Sequence, residues 1–333
     1  MIRFIILAVI LTVLFLANIF FGAVHIDAGE VIEVLKGDGN GNGNDVIRFI
    51  VVGSRFPQAM TAMLAGAGLG VAGLLLQTGF RNPLAGPSVL GISSGASLGV
   101  ALVMLLFGGT ISIGEFSWGG YVAIVAGAIF GSMLIMGILI ALSSIVRDNL
   151  MLLIAGIMTG YLTSSVVTLL SSMSSAIGIQ GYVMWGMGSF SDVSLTQLPW
   201  FSMIVALGLV MAMTLAKPLN ILLLGDNYAR NLGINVTRVR NMMLISTGVL
   251  TGVVTAYCGP VAFVGMAIPH VSRIYFRTDN HWVLIPATML TGAIMTLACN
   301  AASTVPENFV IPINALTSLI GVPIILAVIL RRK

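Results

Sequence analysis

Charged residues make up only 8% of this 333-residue chain, while apolar residues make up 58%. A soluble domain of that length needs far more Lys, Arg, Asp and Glu to cover its surface, so that class is excluded. Cysteine is nearly absent. Cys258 and Cys299 lie in different segments and supply neither a disulfide framework nor a cysteine metal cluster. Lysine is limited to Lys36, Lys217 and Lys333, and none follows a glycine and precedes Ser or Thr. Without a Walker A loop the chain does not itself hydrolyse ATP by that machinery. His25, His270 and His281 stand far apart, with no zinc spacing among them. No Asp or Glu stands mid-span, although a proton- or sodium-coupled carrier ordinarily needs one. The basic residues are scattered singly at span ends, which argues against nucleic acid as a partner.

What remains is an all-α polytopic membrane protein. Hydropathy predicts ten spans, at about 4–24, 58–80, 90–107, 120–146, 150–172, 197–216, 241–258, 261–276, 282–303 and 312–330. The first run reaches span length and lacks a clean A-x-A site, so it reads as a span and not as a cleaved signal. The eighth is short, follows Gly259-Pro260 and contains Pro269, which predicts a kinked or incomplete helix. With the N-terminus inside, only Lys36, Arg48 and Arg55 of the 15 basic residues fall outside. That asymmetry is a positive-inside signal, with both termini cytoplasmic. The longest outer loop, about 25–57, carries Asp38, Asn40, Asn42 and Gly43 in the manner of a calcium loop. Phe49 stands where that loop needs a bidentate Glu, so a flexible linker is the better reading. Small-residue pairs (Gly66/Gly70, Gly127/Gly131, Gly156/Gly160, Gly248/Gly252) predict close helix approach.

One polar island, 224–240, stands between two apolar runs. Asp226 can cap a short helix, Gly233 can end it with a positive φ, and Asn235 can cap the next. Tyr228, Ala229 and Leu232 share a face, which makes the island either a docking knob or a solvated linker. The turn Asn82-Pro83-Leu84-Ala85-Gly86-Pro87 is stiff and holds apolar leucines at a cytoplasmic edge. His270 at the inner end of span eight reads as a structural hydrogen bonder. Span five carries Tyr161, Ser164, Ser165, Thr168, Ser171 and Ser172 along one face, opposite Leu162, Val166, Leu169 and Leu170. Hydroxyls in hydrocarbon need partners, so the stripe faces either water or another helix.

Several words in this sequence carry a family resemblance. They are Arg55-Phe56-Pro57, Asn82-Pro83-Leu84-Ala85-Gly86-Pro87 with Leu90-Gly91 and Ser94-Gly95-Ala96, and Trp185-Gly186-Met187-Gly188-Ser189-Phe190. They continue with Leu224-Gly225-Asp226, Ala229, Leu232-Gly233, Phe263-Val264-Gly265, Pro269-His270-Val271-Ser272-Arg273, Thr317 and Leu319-Ile320-Gly321-Val322-Pro323. From about residue 50 onward the chain resembles the FecCD-type permeases, the membrane subunits of ABC importers for iron-siderophores, haem and cobalamin. The resemblance implies a single permease domain over 1–333, with ten spans per subunit, in the bacterial inner membrane. The partners implied are a second copy of the chain, two cytoplasmic ATPase subunits, a periplasmic or lipid-anchored substrate-binding protein and the lipid bilayer. ATP and magnesium belong to the ATPase, and no cofactor is expected on this chain, which is a transport subunit and not an enzyme.

By the same resemblance the segment 217–240 is the coupling segment, with Gly225, Asp226, Tyr228, Ala229, Leu232 and Gly233 at the ATPase. Asn82, Pro83 and Leu84, together with Asn149 and Leu150 in the turn after Arg147, resemble the cytoplasmic gate. The hydroxyl face of span five lines the translocation path. Departures from the family pattern are Gln58 in place of a second basic residue, Asn300 in place of Asp, Ser303 in place of Arg, and Val310-Ile311-Pro312-Ile313-Asn314. These bear on the docking of the substrate-binding protein and on the choice of substrate, and leave the fold untouched. The competing readings are an ion- or proton-coupled secondary transporter and, third, a purely structural membrane scaffold.

Overall fold

The computed structural model describes every residue except 23, 37–43, 108–109, 114–115, 147–148, 306–308 and 332–333. Among the described residues the chain is helical apart from one short antiparallel hairpin, β1 (Thr110–Ile113) with β2 (Phe116–Gly119). Six helical stretches are long and apolar enough to cross a membrane: Ile2–Phe20, Asp45–Gly79, Tyr121–Ser143, Leu150–Met173, Val236–Cys258 and His281–Ser303. Leu198–Thr214 and Ala216–Leu222, bent by 48°, add a seventh if they form one span. Pro218 falls in the first turn of the second piece, where a missing N–H costs nothing.

Helices occupy all ten stretches expected from hydropathy, although three of them are short. We label them α1 (Ile2–Phe20), α4 (Phe56–Gly79), α5 (Ile92–Ala101), α6 (Tyr121–Ile145), α7 (Asn149–Met173), α9 (Leu198–Thr214), α12 (Val236–Cys258), α13 (Val264–Phe276), α14 (His281–Ser303) and α15 (Ile313–Arg331). Between them lie α2 (Ala28–Lys36), α3 (Asn44–Arg48), α8 (Ala176–Gly186), α10 (Ala216–Leu222) and α11 (Asp226–Asn231). The 13-residue α13 contains Pro269 and is too short to cross a bilayer, as expected for an incomplete span.

Two helices, α2 and α3, lie within 25–57, and a π-helical segment, Phe49–Arg55, joins α3 to α4 without a break, so the continuous helix Asp45–Gly79 is long and apolar enough to cross a membrane. The calcium-like residues Asp38, Asn40, Asn42 and Gly43 lie outside the described residues.

α4 is the centre of the bundle. Its small residues let neighbouring backbones come into contact. A Cβ built on Gly66 would overlap the Gly292 carbonyl of α14, and one on Gly73 would overlap the Gly265 carbonyl of α13. In the same way Gly127 and Gly131 of α6 lie against Gly99 and Gly95 of α5. Gly248 and Gly252 instead receive side chains, those of Met136 and Ser132. The core between these helices is filled by Leu74, Leu75, Leu76, Phe201, Met243 and Leu244.

At one end of the bundle a buried arginine and a chain of neutral amides hold α1, α4 and α14 together. Arg55 donates to the carbonyls of Ile19 and Phe20 at 2.9 Å and to that of Val24, where α1 presents its unpaired C-terminal carbonyls. Gln58 donates to Asn300 at 3.0 Å, Asn300 to Asn18 at 2.7 Å, and Asn18 to the carbonyls of Leu14 and Leu297. Asn300 and Ser303 are buried, and the Ser303 hydroxyl donates to the Asn300 carbonyl. Of the departures Gln58, Asn300 and Ser303, the last two are thus buried within this chain. The first two face each other inside the bundle, where two neutral amides make a matched pair.

Candidate functional site

The other end of the bundle gathers segments that are far apart in sequence. Arg3 donates to the Phe276 carbonyl, and the rings of Phe4 and Phe276 lie 4.6 Å apart. The turn after α4, the α10–α11 segment and the α13–α14 connection meet at the same end. Most of the described basic residues read as cytoplasmic lie in these segments (Arg81, Lys217, Arg230, Arg277) or in the adjoining turns of α12 and α13 (Arg238, Arg240, Arg273).

The short helix α11 forms as its punctuation predicts, with one exception. Gly233 ends it at φ 80°, and Asn235 caps α12 by accepting from the Arg238 N–H at 3.0 Å. The N-cap, however, is Gly225 at φ 117°, a conformation open to glycine alone. Asp226 is the first helical residue and caps nothing. Its carboxylate faces outward to two arginines, with Arg81 Nη2 at 2.5 Å from Oδ1 and Arg240 Nη2 at 3.6 Å from Oδ2. An acid in the first turn also suits the helix dipole. Arg81 itself sits at φ 49° in the left-handed region, which costs a non-glycine residue roughly 1 kcal/mol. From there it also donates to the Leu222 carbonyl at 3.1 Å, at the end of α10.

The docking face divides. Tyr228 and Leu232 are 52% and 55% exposed, but Ala229 is fully buried against the chain's own core. Ala229 is thus a foot of the island, and its exposed surface is formed by the other two.

The turn carrying Asn82, Pro83 and Leu84 is held from both sides. Asn82 accepts from the Leu84 N–H at 2.9 Å, closing an Asx turn, and the Pro83 carbonyl accepts from His270 Nε2 at 2.8 Å. Gln77 donates to the Met266 carbonyl and accepts from Arg273 at 2.6 Å. His270 is thus the structural hydrogen bonder expected from its position. Leu84 is exposed at the tip of the turn. Leu150, near the start of α7, is exposed as well. The side chain of Asn149 and the whole of Arg147 lie outside the described residues. α7 reaches the far end of the turn, where Gly156 faces Leu90 and Gly160 faces Gly91 and Ser94.

A second chain of bonds joins α4, α10 and α14. Asn220 Oδ1 accepts from both the N–H and Nδ1 of His281 at 2.8 Å, which leaves Nε2 to accept from the Thr78 hydroxyl at 2.8 Å. Asn220 also donates to Asn280, the N-cap of α14. Sequence reasoning missed Arg81, Arg240, Thr78, Asn220 and His281. Their roles rest on partners distant in sequence, and no local pattern marks them.

On α7, Tyr161, Ser164, Ser165, Thr168 and Ser172 are exposed and Ser171 is half-buried, but Leu162, Val166 and Leu169 are exposed too. The buried contacts of this stretch run through Thr163 instead. The hydroxyls are largely satisfied by the helix itself. Ser165 donates to Tyr161 O, Thr168 to Ser164 O, Ser171 to Val167 O and Ser172 to Leu169 O, all within 3.0 Å. The premise that the stripe needs water or another helix as its partner is corrected, because back-bonding to the preceding turn supplies one.

Comparison with known proteins adds four findings. The profile of the FecCD transport family matches residues 10–331. The hemin transport system permease protein HmuU of Yersinia pestis is 34% identical over 304 residues, covering 88% of this chain and 87% of that one. The vitamin B12 import system permease protein BtuC of Klebsiella pneumoniae is 32% identical over 280 residues, covering 84% and 82%. A metal-chelate type ABC transporter, solved in an inward-facing conformation, superposes with a TM-score of 0.85 at 27% identity, covering 100% of this chain and 99% of that one.

Proposed function

This chain belongs to the FecCD transport family, and from that premise we propose that it is the permease subunit of an ATP-driven importer for a metal chelate such as a ferric siderophore, haem or cobalamin. The observation that carries the reading is the match along nearly the whole chain to permeases of haem and vitamin B12 import. In this reading two copies form the path across the bacterial inner membrane. ATP and magnesium are handled by two cytoplasmic ATPase subunits, and a binding protein delivers cargo from outside. Each copy crosses the membrane ten times with both termini cytoplasmic. The helices in all ten expected stretches and the basic residues gathered at one end support this.

The coupling surface is the exposed part of α11, Tyr228 and Leu232, held in shape by Gly225, Asp226, Ala229 and Gly233. The gate is the Asn82–Leu84 turn with Asn149 and Leu150. The exposed hydroxyl face of α7 borders the path, where self-satisfied hydroxyls suit a bulky chelate that must be enclosed but not held.

The test is reconstitution of the chain with its ATPase and binding protein in proteoliposomes, followed by uptake of haemin, cyanocobalamin and a ferric siderophore. Uptake of one of them that requires ATP and survives proton and sodium ionophores is the expected result. Uptake driven by an ion gradient without ATP would establish the secondary-transporter alternative. The Leu232→Asp variant should insert and fold normally but fail to co-purify with the ATPase, because the new charge would be desolvated in the interface.

A further inference from the structure

The island and the gate turn meet through a single carboxylate. Asp226 opens α11, the helix whose exposed face is offered to the ATPase. One of its oxygens holds Arg81, the residue immediately before Asn82 of the gate turn, and the other lies toward Arg240 in the first turns of α12. The two arginines have different settings. Arg240 is buried, so it is a fixed post on a helix that packs against α4 and α6. Arg81 is partly exposed and makes three anchoring bonds: its side chain to Asp226 and to Leu222 O, and its backbone N–H to Thr78 O. Its backbone also stays in the left-handed region, where glycine would be the undemanding choice. The side chain is therefore what the position keeps, and that side chain ends on α10 and α11.

The rest of the turn is held differently. Asn82 bonds within the turn, and the Pro83 carbonyl is bonded by His270 of α13. Arg81 thus stands between a turn attached to α13 and a helix attached to the partner surface.

We propose that Asp226, held between Arg81 and Arg240, is the rigid pin that transmits displacement of α11 to the gate turn, with Arg81 as the positioning residue for the gate. The proposal rests on the transporter reading above and deepens it. An isolated, partly exposed ion pair contributes little to stability. A pair whose ends lie on two segments that must move together contributes coupling, and its loss appears in the ratio of cargo moved to ATP hydrolysed.

The experiment uses the reconstituted complex of permease, ATPase and binding protein, with whichever of haemin, cyanocobalamin or ferric siderophore the wild type imports. Arg81→Gln and Asp226→Asn, both close in shape to the originals, should each lower the cargo-to-ATP ratio by roughly tenfold, a typical coupling effect. The ATPase should still co-purify, and Arg81→Lys should recover most of the ratio. A second measurement separates a pin from a contact that must break during the cycle. In a background lacking Cys258 and Cys299, Arg81→Cys with Asp226→Cys should be uncoupled, and joining the two thiols with a short bis-thiosulfonate should restore coupling. A linked pair that stays uncoupled, or an Arg81→Gln complex with the wild-type ratio, overturns the pin. A wild-type complex with no ATP-driven uptake overturns the reading of function instead, and the pin with it.

Discussion

Two stretches of nearly equal hydropathy have opposite fates in this molecule. In Asp45–Gly79, 83% of the most apolar part is buried; in Leu150–Met173 the figure is 22%. The difference lies in the side chains that meet the neighbours. α4 presents Gly66 and Gly73 to the carbonyls of Gly292 and Gly265, so two neighbouring backbones converge on it. α7 presents Thr163, Gly156 and Gly160 on one narrow face and leaves leucines and hydroxyls on the remainder. Hydropathy measures the cost of leaving water and says nothing about which helix is central. In a bilayer, lipid is as apolar as a neighbouring helix, so close steric approach decides the centre.

That comparison can be broken most forcefully with one methyl group. Gly73→Ala should abolish recovery of folded, monodisperse protein, because the Cβ overlaps backbone that cannot yield. Gly160→Ala on α7, where the nearest atoms lie at 3.6 Å, should leave yield and thermal midpoint near wild type. Equal tolerance at both positions would remove the distinction between centre and rim.

A smaller effect is expected at the end of α4 where neutral amides pair. Asn300→Leu strands the Gln58 amide and the Asn18 carbonyl oxygen, and should cost about 1–2 kcal/mol in detergent unfolding. Combining it with Gln58→Leu should recover part of that loss, since replacing both partners of a buried pair is milder than orphaning one.

The rim gives the smallest change. Ser165→Ala and Thr168→Val should each shift stability by less than about 0.5 kcal/mol, because those hydroxyls bond only their own helix. Single cysteines at 161, 164, 168 and 171, compared with 162, 166 and 170 in a background without Cys258 and Cys299, then ask which side of α7 is wet in the assembled transporter. Preferential labelling of the first set by a water-soluble reagent, with protection by cargo, supports the path. Equal labelling of both faces would make α7 a lipid-facing or packing helix.

Much of the end that carries α11 was legible because its signals are local. Gly233 and Asn235 mark helix ends whatever surrounds them, and His270 was expected to bond structurally. Asp226 misled for the same reason. A carboxylate before a helix can cap it, but here Gly225 holds the cap position at φ 117° and two distant arginines hold the carboxylate. Ala229 misled because helical spacing places residues on one face without saying whether that face also turns inward.

The sequence by itself determined the membrane class, the ten apolar stretches, the incomplete helix around Pro269, the placement of its basic residues at the ends of those stretches and the resemblance to a transport family. Each of these depends on single residues or on neighbours a few positions apart, as helix hydrogen bonding and transfer from water do. The tertiary structure alone decided that Gln58 meets Asn300 across 242 positions, that Arg81 meets Asp226 across 145, and that α4 and not α7 is the centre. Those outcomes are properties of pairs. They exist only once distant helices have packed closely enough for one side chain to limit the choices of another.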